Sequence, residues 1–313
     1  MIERIIIDTD PGVDDAQAIL MTAAHSGVQI EAILAVAGNV GLEHTLRNAL
    51  LLTEVVGQDI PVYAGCAQPL VMFQEDAASA HGNDGLGGVG LVPQRRTAEA
   101  EHAVTALLRM VNEAPGELTL AAIGPLTNIA VALTLDPELP RKLKRFVVMG
   151  GAVTGHGNTS SVTAEFNIFF DPEAAYMVFT AWEKAGLLID VIDWEATMRH
   201  GFPLDVVARW LEMDTPKARF FQQITERGRY RSFHVLNRPS MYAADPLALA
   251  VLLEPDIVTE AVQRNITIEM AGGATRGQTV VDWQNRLGKP ANANIILGVD
   301  NGRFQALMEQ GLL

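Results

Sequence analysis

Hydrophobic and polar positions along the chain follow two alternating regimes. Short aliphatic or β-branched runs occur at 4–7, 29–37, 60–64, 117–123, 144–149 and 187–192, each bounded by Gly, Pro, Asn or Asp or by the chain start. Runs of that length and composition predict buried strands. Between them lie stretches with helical spacing at 16–21, 43–56, 97–113 and 126–135, and another helix is opened by Asp171 as N-cap with Pro172 at its first position. Residues 195–242 read as mostly helical, and Asp245-Pro246 opens a helix to residue 253. β-like runs follow at 257–262, 266–270, 279–281 and 294–297, and a helix at 301–310 closes the pattern. Strand–helix alternation predicts an α/β fold: an open, mainly parallel sheet with helices on both faces, here with a small β-containing C-terminal extension. No repeat, low-complexity tract or linker interrupts it, so a single domain over 1–313 is expected.

Two segments break the alternation. Residues 65–94 are irregular and contain His81-Gly82-Asn83-Asp84-Gly85-Leu86-Gly87-Gly88. Residues 152–167 run through Gly155-His156-Gly157-Asn158 to Thr163-Ala164-Glu165-Phe166-Asn167. Long irregular loops are usually functional or disordered, and glycines let backbone approach a ligand closely. Asp10, Asn39, Ile123 with Gly124, and Met149 with Gly150 each fall at the carboxyl end of an expected strand. Parallel pairing brings those ends to one edge of the sheet, where the two loops are placed to close over them.

Composition narrows the function classes. The chain has 313 residues, 49% of them hydrophobic, enough for a sizeable core. A formal net charge of −14 argues against nucleic acid or an anionic membrane face as partner and leaves a small neutral ligand open. The single cysteine, Cys66, excludes an intramolecular disulfide and any multi-cysteine metal site, and suits a reducing compartment. The N-terminus enters a strand directly, without the pattern of a signal peptide, and apolar runs such as 248–253 are too short to span a bilayer. A soluble, cytoplasmic protein is expected.

The chemistry concentrates in Asp8-Thr9-Asp10-Pro11-Gly12-Val13-Asp14-Asp15, between the first expected strand and the first expected helix. Four carboxylates in eight residues repel one another unless positive charge or shared protons offset them. No Lys or Arg lies between Arg4 and Arg47 to do so, and a helix N-terminus adds only a partial charge. A hard cation with oxygen ligands resolves the crowding, and Ca2+ suits clustered carboxylates with room for water. Turn or helix capping by Asp8 and Asp14 is the blander role for these positions.

These residues resemble the nucleoside hydrolase family of the inosine–uridine-preferring type. The resemblance covers nearly the whole chain. The run 8–15 is similar to the family signature almost letter for letter. Gly38-Asn39-Val40, the loop 81–88, Gly124-Pro125-Leu126-Thr127-Asn128, Met149-Gly150-Gly151, Glu165-Phe166-Asn167 and Asp245-Pro246-Leu247-Ala248 follow in the family's order. The resemblance implies an open, Rossmann-like α/β fold, a bound Ca2+, and hydrolysis of the N-glycosidic bond of a purine or pyrimidine ribonucleoside to ribose and free base. It implies Asp10, Asp15 and Asp245 as carboxylate metal ligands and the carbonyl of Ile123 as a backbone ligand. Asp14, Asn39, Met149, Asn158, Glu165 and Asn167 are implied to hold the ribose. The loop before Glu165 is about one residue longer than the family spacing, which bears on Asn158. A homodimer or homotetramer is also implied.

On that reading Ca2+ lowers the pKa of a water and Asp10 takes its proton as general base. The sugar passes through an oxocarbenium-like state that nearby carboxylates stabilise. The chain departs from the family pattern at one place: a His that serves as leaving-group acid precedes the last metal Asp, and here that position is Ala244. His81, Tyr230 and His234 are the candidates to contact or protonate the base, with aromatic stacking as another route. Two other readings stand beside hydrolysis. Ala244 raises a non-catalytic or specialised nucleoside- or ribose-binding relative. Asp8-Thr9-Asp10 after a strand raises an aspartyl-phosphate phosphatase, which Gly12 disfavours because that chemistry wants Thr or Val there.

Overall fold

A computed structural model describes residues 2–72 and 75–313, so positions 73 and 74 of the long loop lie outside the described residues. In chain order the first half comprises β1 (Glu3–Thr9), α1 (Val13–Ala24), β2 (Val28–Ala35), α2 (Leu42–Val56), β3 (Val62–Ala64), α3 (Ala78–His81), α4 (Ala103–Glu113), β4 (Leu118–Ala122), α5 (Thr127–Leu135), α6 (Leu139–Lys142) and β5 (Arg145–Met149). There follow α7 (Phe166–Phe170), α8 (Pro172–Ala185), β6 (Ile189–Ile192), α9 (Trp194–Arg199), β7 (Phe202–Pro203), α10 (Leu204–Leu211) and α11 (Pro216–Tyr230). A π-helical turn at Arg231–Val235 leads to β8 (Ser240–Met241) and α12 (Ala244–Leu253). The chain ends with β9 (Val258–Arg264), β10 (Ile266–Ile268), β11 (Thr279–Val281), β12 (Ala293–Val299) and α13 (Asn301–Leu312).

Eight strands form the main sheet in the order β3-β2-β1-β4-β5-β6-β12-β9. All neighbours pair in parallel except β9 and β12 at one edge. β1 shows why the pattern reads as it does. Side chains alternate across a strand, so Ile5 and Ile7 enter one core with α1, α2, α12 and α13, while Ile6 enters the other with α4, α5 and α8. Both faces are covered, and all three isoleucines are fully buried.

Three boundaries differ from the sequence expectation. The helix expected from 97 begins at Ala103, because residues before it run beside β3: the Glu99 amide donates to the Val62 carbonyl at 2.8 Å. His102 then caps α4, its Nδ1 accepting from the Val104 amide at 3.2 Å. The stretch 195–242 is helical in four pieces interrupted by a small β7–β8 pair. In the C-terminal region β12 and β9 extend the main sheet, and only the β10–β11 hairpin stands apart from it. Among the described residues no helix is long and apolar enough to cross a membrane.

Candidate active site

The strand order reverses between β1 and β4, and in open α/β sheets ligands bind at the carboxyl ends beside such a reversal. Asp10 follows β1 and Ile123 follows β4. Asp10 is fully buried, and its Oδ2 accepts from the Asn39 amide at 2.7 Å. Its Oδ1 is buried without a hydrogen-bond partner. Glycines make room for this carboxylate: a Cβ on Gly124 would lie 2.7 Å from Oδ1, and one on Gly38 would overlap Oδ2. Asp15, in the first turn of α1, is held instead by three donors. Its Oδ1 accepts from Thr9 Oγ1 at 2.5 Å, and its Oδ2 accepts from the Gly12 amide at 2.8 Å and Asn39 Nδ2 at 3.1 Å.

Asp245 arrives from 230 residues away in the chain, in the first turn of α12. One oxygen from each of Asp14, Asp15 and Asp245 can be chosen so that all lie within 4.8 Å of one another. Burial and then the neighbouring carboxylates push Asp245 well above its ordinary value, and burial pushes Asp14 up to about 6. His81 lies beside the cluster, with Nδ1 3.7 Å from Asp14 Oδ1. The donor set is all oxygen and carboxylate-rich, two buried oxygens (Oδ1 of Asp10 and of Asp14) lack donors, and α1 and α12 both begin here. That combination fits a hard divalent cation.

A cavity of about 330 Å³ opens beside the cluster, lined by Asp14, Asn39, His81, Ile123, Met149 and Asn158, and by Glu165, Asn167 and Asp245. Asn167 Nδ2 donates to the carbonyls of Ile123 and Met149, each at 3.1 Å, and so ties the ends of β4 and β5 together. Glu165 caps α7 and accepts from the amides of Gly151 (2.8 Å), Asn167 (2.8 Å) and Ile168 (3.3 Å). Burial pushes Glu165 up to about 7 against the pull of those three amides. The two long loops meet at the rim, where the Ser160 amide donates to Glu75 Oε1 at 3.2 Å.

The leaving-group candidates separate. His81 lines the cavity, and its Nδ1 accepts from the Val13 amide at 3.0 Å. The neutral ring therefore carries its proton on Nε2. Burial holds His81 below the ordinary imidazole value, opposed by Asp15. Neither Tyr230 nor His234 lines the cavity. Tyr230 is 65% exposed, and its ring lies 5.2 Å from that of His234. The cavity-lining positions of this segment are Thr225, Gly228, Arg229, Arg231, Ser232 and Leu236, while Tyr230 and His234 are exposed. The sequence reading missed Trp194, Arg238 and Tyr242, which complete the wall. Their signal was faint: an Arg between Asn237 and Pro239 shortly before Asp245, and a Trp just after a strand.

The sequence profile of the inosine–uridine preferring nucleoside hydrolases matches residues 5–306. The chain belongs to that family. A curated relative, the pyrimidine-specific ribonucleoside hydrolase RihB of Escherichia coli K12, is 36% identical over 310 residues, covering 98% of this chain and 96% of the relative. Among solved structures, the plant nucleoside hydrolase PpNRh1 superposes with a TM-score of 0.91 at 29% identity, covering 99% of this chain and 98% of that one. The purine-preferring ribonucleoside hydrolase from Gardnerella vaginalis superposes with a TM-score of 0.88 at 29% identity, again covering 99% and 98%. As a nucleoside hydrolase the chain is an N-ribosyl hydrolase, and its buried acidic cluster is suited to a metal ion.

Proposed function

We propose that the chain, as a single domain spanning 1–313, is a Ca2+-dependent hydrolase of purine or pyrimidine ribonucleosides that releases ribose and free base for nucleoside salvage. The observation that carries this reading is the convergence of Asp14, Asp15 and Asp245 beside the unpartnered Oδ1 of Asp10, at the end of a cavity whose polar walls are Asn39, Glu165 and Asn167. Asp10, Asp15, Asp245 and the Ile123 carbonyl would hold the ion. Bound there, a hard cation supplies charge compensation and polarises the O–H bonds that face it. Asp10 offers its free oxygen to a water proton as general base. Asp14, Asn39, Met149, Asn158, Glu165 and Asn167 position the ribose, and the carboxylates among them stabilise positive charge growing on the sugar. His81, which lines the cavity with its Nδ1 engaged by the Val13 amide, serves as a hydrogen-bond donor through Nε2. Tyr230 and His234 face outward, and we assign them no part in proton transfer to the base.

Ala244 favours one rival, a nucleoside-binding relative without turnover: its small apolar side chain is buried where the family pattern has an acid. Release of reducing sugar across a panel of purine and pyrimidine ribonucleosides, with Ca2+ and after chelation, separates the two. Hydrolysis predicts ribose release that chelation removes and Ca2+ restores; binding without release of ribose from any nucleoside overturns it. We also propose a homodimer or homotetramer in the cytoplasm, to be read from light scattering and fractionation.

A further inference from the structure

Three arginines, Arg229, Arg231 and Arg238, line the cavity, and among the described residues none of them forms an ion pair with a carboxylate. Arg238 is half-buried, and its Cζ lies 5.2 Å from the ring centroid of Tyr242 and 5.9 Å from that of Trp194. The two rings meet edge to face at 5.9 Å. In a chain of net charge −14, no carboxylate within the described residues forms an ion pair with this guanidinium. Its backbone is held on every side. Asn237 adopts a φ of +49°, which Asn tolerates better than most residues, and Pro239 follows. The Arg238 amide donates to the Ser232 carbonyl at 2.9 Å, and Ser240–Met241 is anchored by pairing with Phe202–Pro203. Tyr242 packs where Gly201 has no side chain; a Cβ there would lie 2.7 Å from the Tyr242 ring.

We propose that Arg238, stacked on Trp194 and Tyr242, faces the nucleobase and stabilises the negative charge that collects on it as the glycosidic bond breaks. This rests on the hydrolase reading above. In the reaction the C1′–N bond breaks with its electron pair passing to the base, water oxygen bonds to C1′, and Asp10 takes the water proton. The base departs as an anion held against the guanidinium and then takes a proton from solvent. A guanidinium is permanently charged, so it contributes electrostatically where the family pattern has a proton donor and this chain has Ala244. The aromatic neighbours give the base a stacking surface.

The test compares wild type, Arg238→Met and Arg238→Lys, all loaded with Ca2+, on inosine, uridine and p-nitrophenyl β-D-ribofuranoside. Nitrophenolate leaves unaided, so that substrate needs no help at the base. Arg238→Met should lower kcat on inosine or uridine by about 10²–10³-fold while leaving the nitrophenyl riboside within a few-fold of wild type. Arg238→Lys, which keeps charge without the planar fork, should recover part of the loss. An equal loss on all substrates makes Arg238 a structural residue and overturns the proposal, as does an unchanged kcat on the nucleosides. A wild-type chain inactive on every riboside would instead fail the hydrolase reading itself.

Discussion

Asp10 illustrates how much of the site is decided residue by residue. One of its oxygens is bound by the Asn39 amide and the other is buried without a hydrogen-bond partner, so the side chain is fixed with one oxygen left over. Asp10→Asn keeps the shape and the amide contact but cannot take a proton. It should lower kcat by about 10²–10⁴-fold at saturating Ca2+, measured by reducing-sugar release. Asp193 supplies a pH test away from the metal cluster. Burial, with Glu195 adding to it, pushes Asp193 up to about 6, although its carboxylate accepts from the Val153 and Ala196 amides. That lies above the value of about 3.9 expected of an unfolded Asp, so the folded chain binds this proton more readily. The associated stability is fully present below about pH 4 and is lost as pH rises through 6. Between pH 4.5 and 7, at constant Ca2+, Tm of the wild type should therefore fall more steeply than that of Asp193→Asn; parallel slopes would count against it. The acidic run 8–15 was legible as a site from spacing alone. Arg238, Trp194 and Tyr242 were not, because only folding brings residue 194 beside 238 and 242.

At the scale of elements, strand ends and helix starts do the positioning. β1 and β2 each end four residues before a cavity residue (Val13 and Asn39), β4 ends just before Ile123 and β5 ends on Met149, and the glycines after β2 and β4 let the chain pass the Asp10 carboxylate. Gly38→Ala should push that carboxylate aside, cutting kcat at least tenfold and destabilising the fold by about 1–3 kcal/mol, as overpacking does. Activity and denaturant midpoints measure both, and a variant with wild-type kcat would show that the position tolerates a side chain. Periodicity located these strands well because both faces of a parallel sheet are buried. It placed the start of α4 six residues early, since the tract beside β3 has no period of its own and is held by a tertiary hydrogen bond from Glu99. It also could not tell that the chain turns into a π-helical stretch after Tyr230, in which Arg231 and Ser232 line the cavity and His234 does not.

At the scale of the molecule, four carboxylates from both ends of the chain share a buried region in a protein already carrying a net charge of −14. Their mutual repulsion opposes folding until a cation relieves it. Saturation with Ca2+ at a hundredfold excess over its Kd should stabilise the fold by about 2.7 kcal/mol, raising Tm by several degrees. Chelation should reverse the shift, and Asp245→Ala should abolish it; an Asp245→Ala protein that still gains stability from Ca2+ would place the ion elsewhere. What the sequence determined by itself was the local grammar: buried strands, helix starts, the acidic signature, and loops too glycine-rich to be mere connections. Those features depend on neighbours within a few residues, so spacing records them. The tertiary structure alone decided which side chains meet. Asp245 joins Asp14 and Asp15 across 230 residues, and Arg238 lies over Trp194 and Tyr242, because strand order and chain reversal, not proximity in sequence, set distances in the folded molecule.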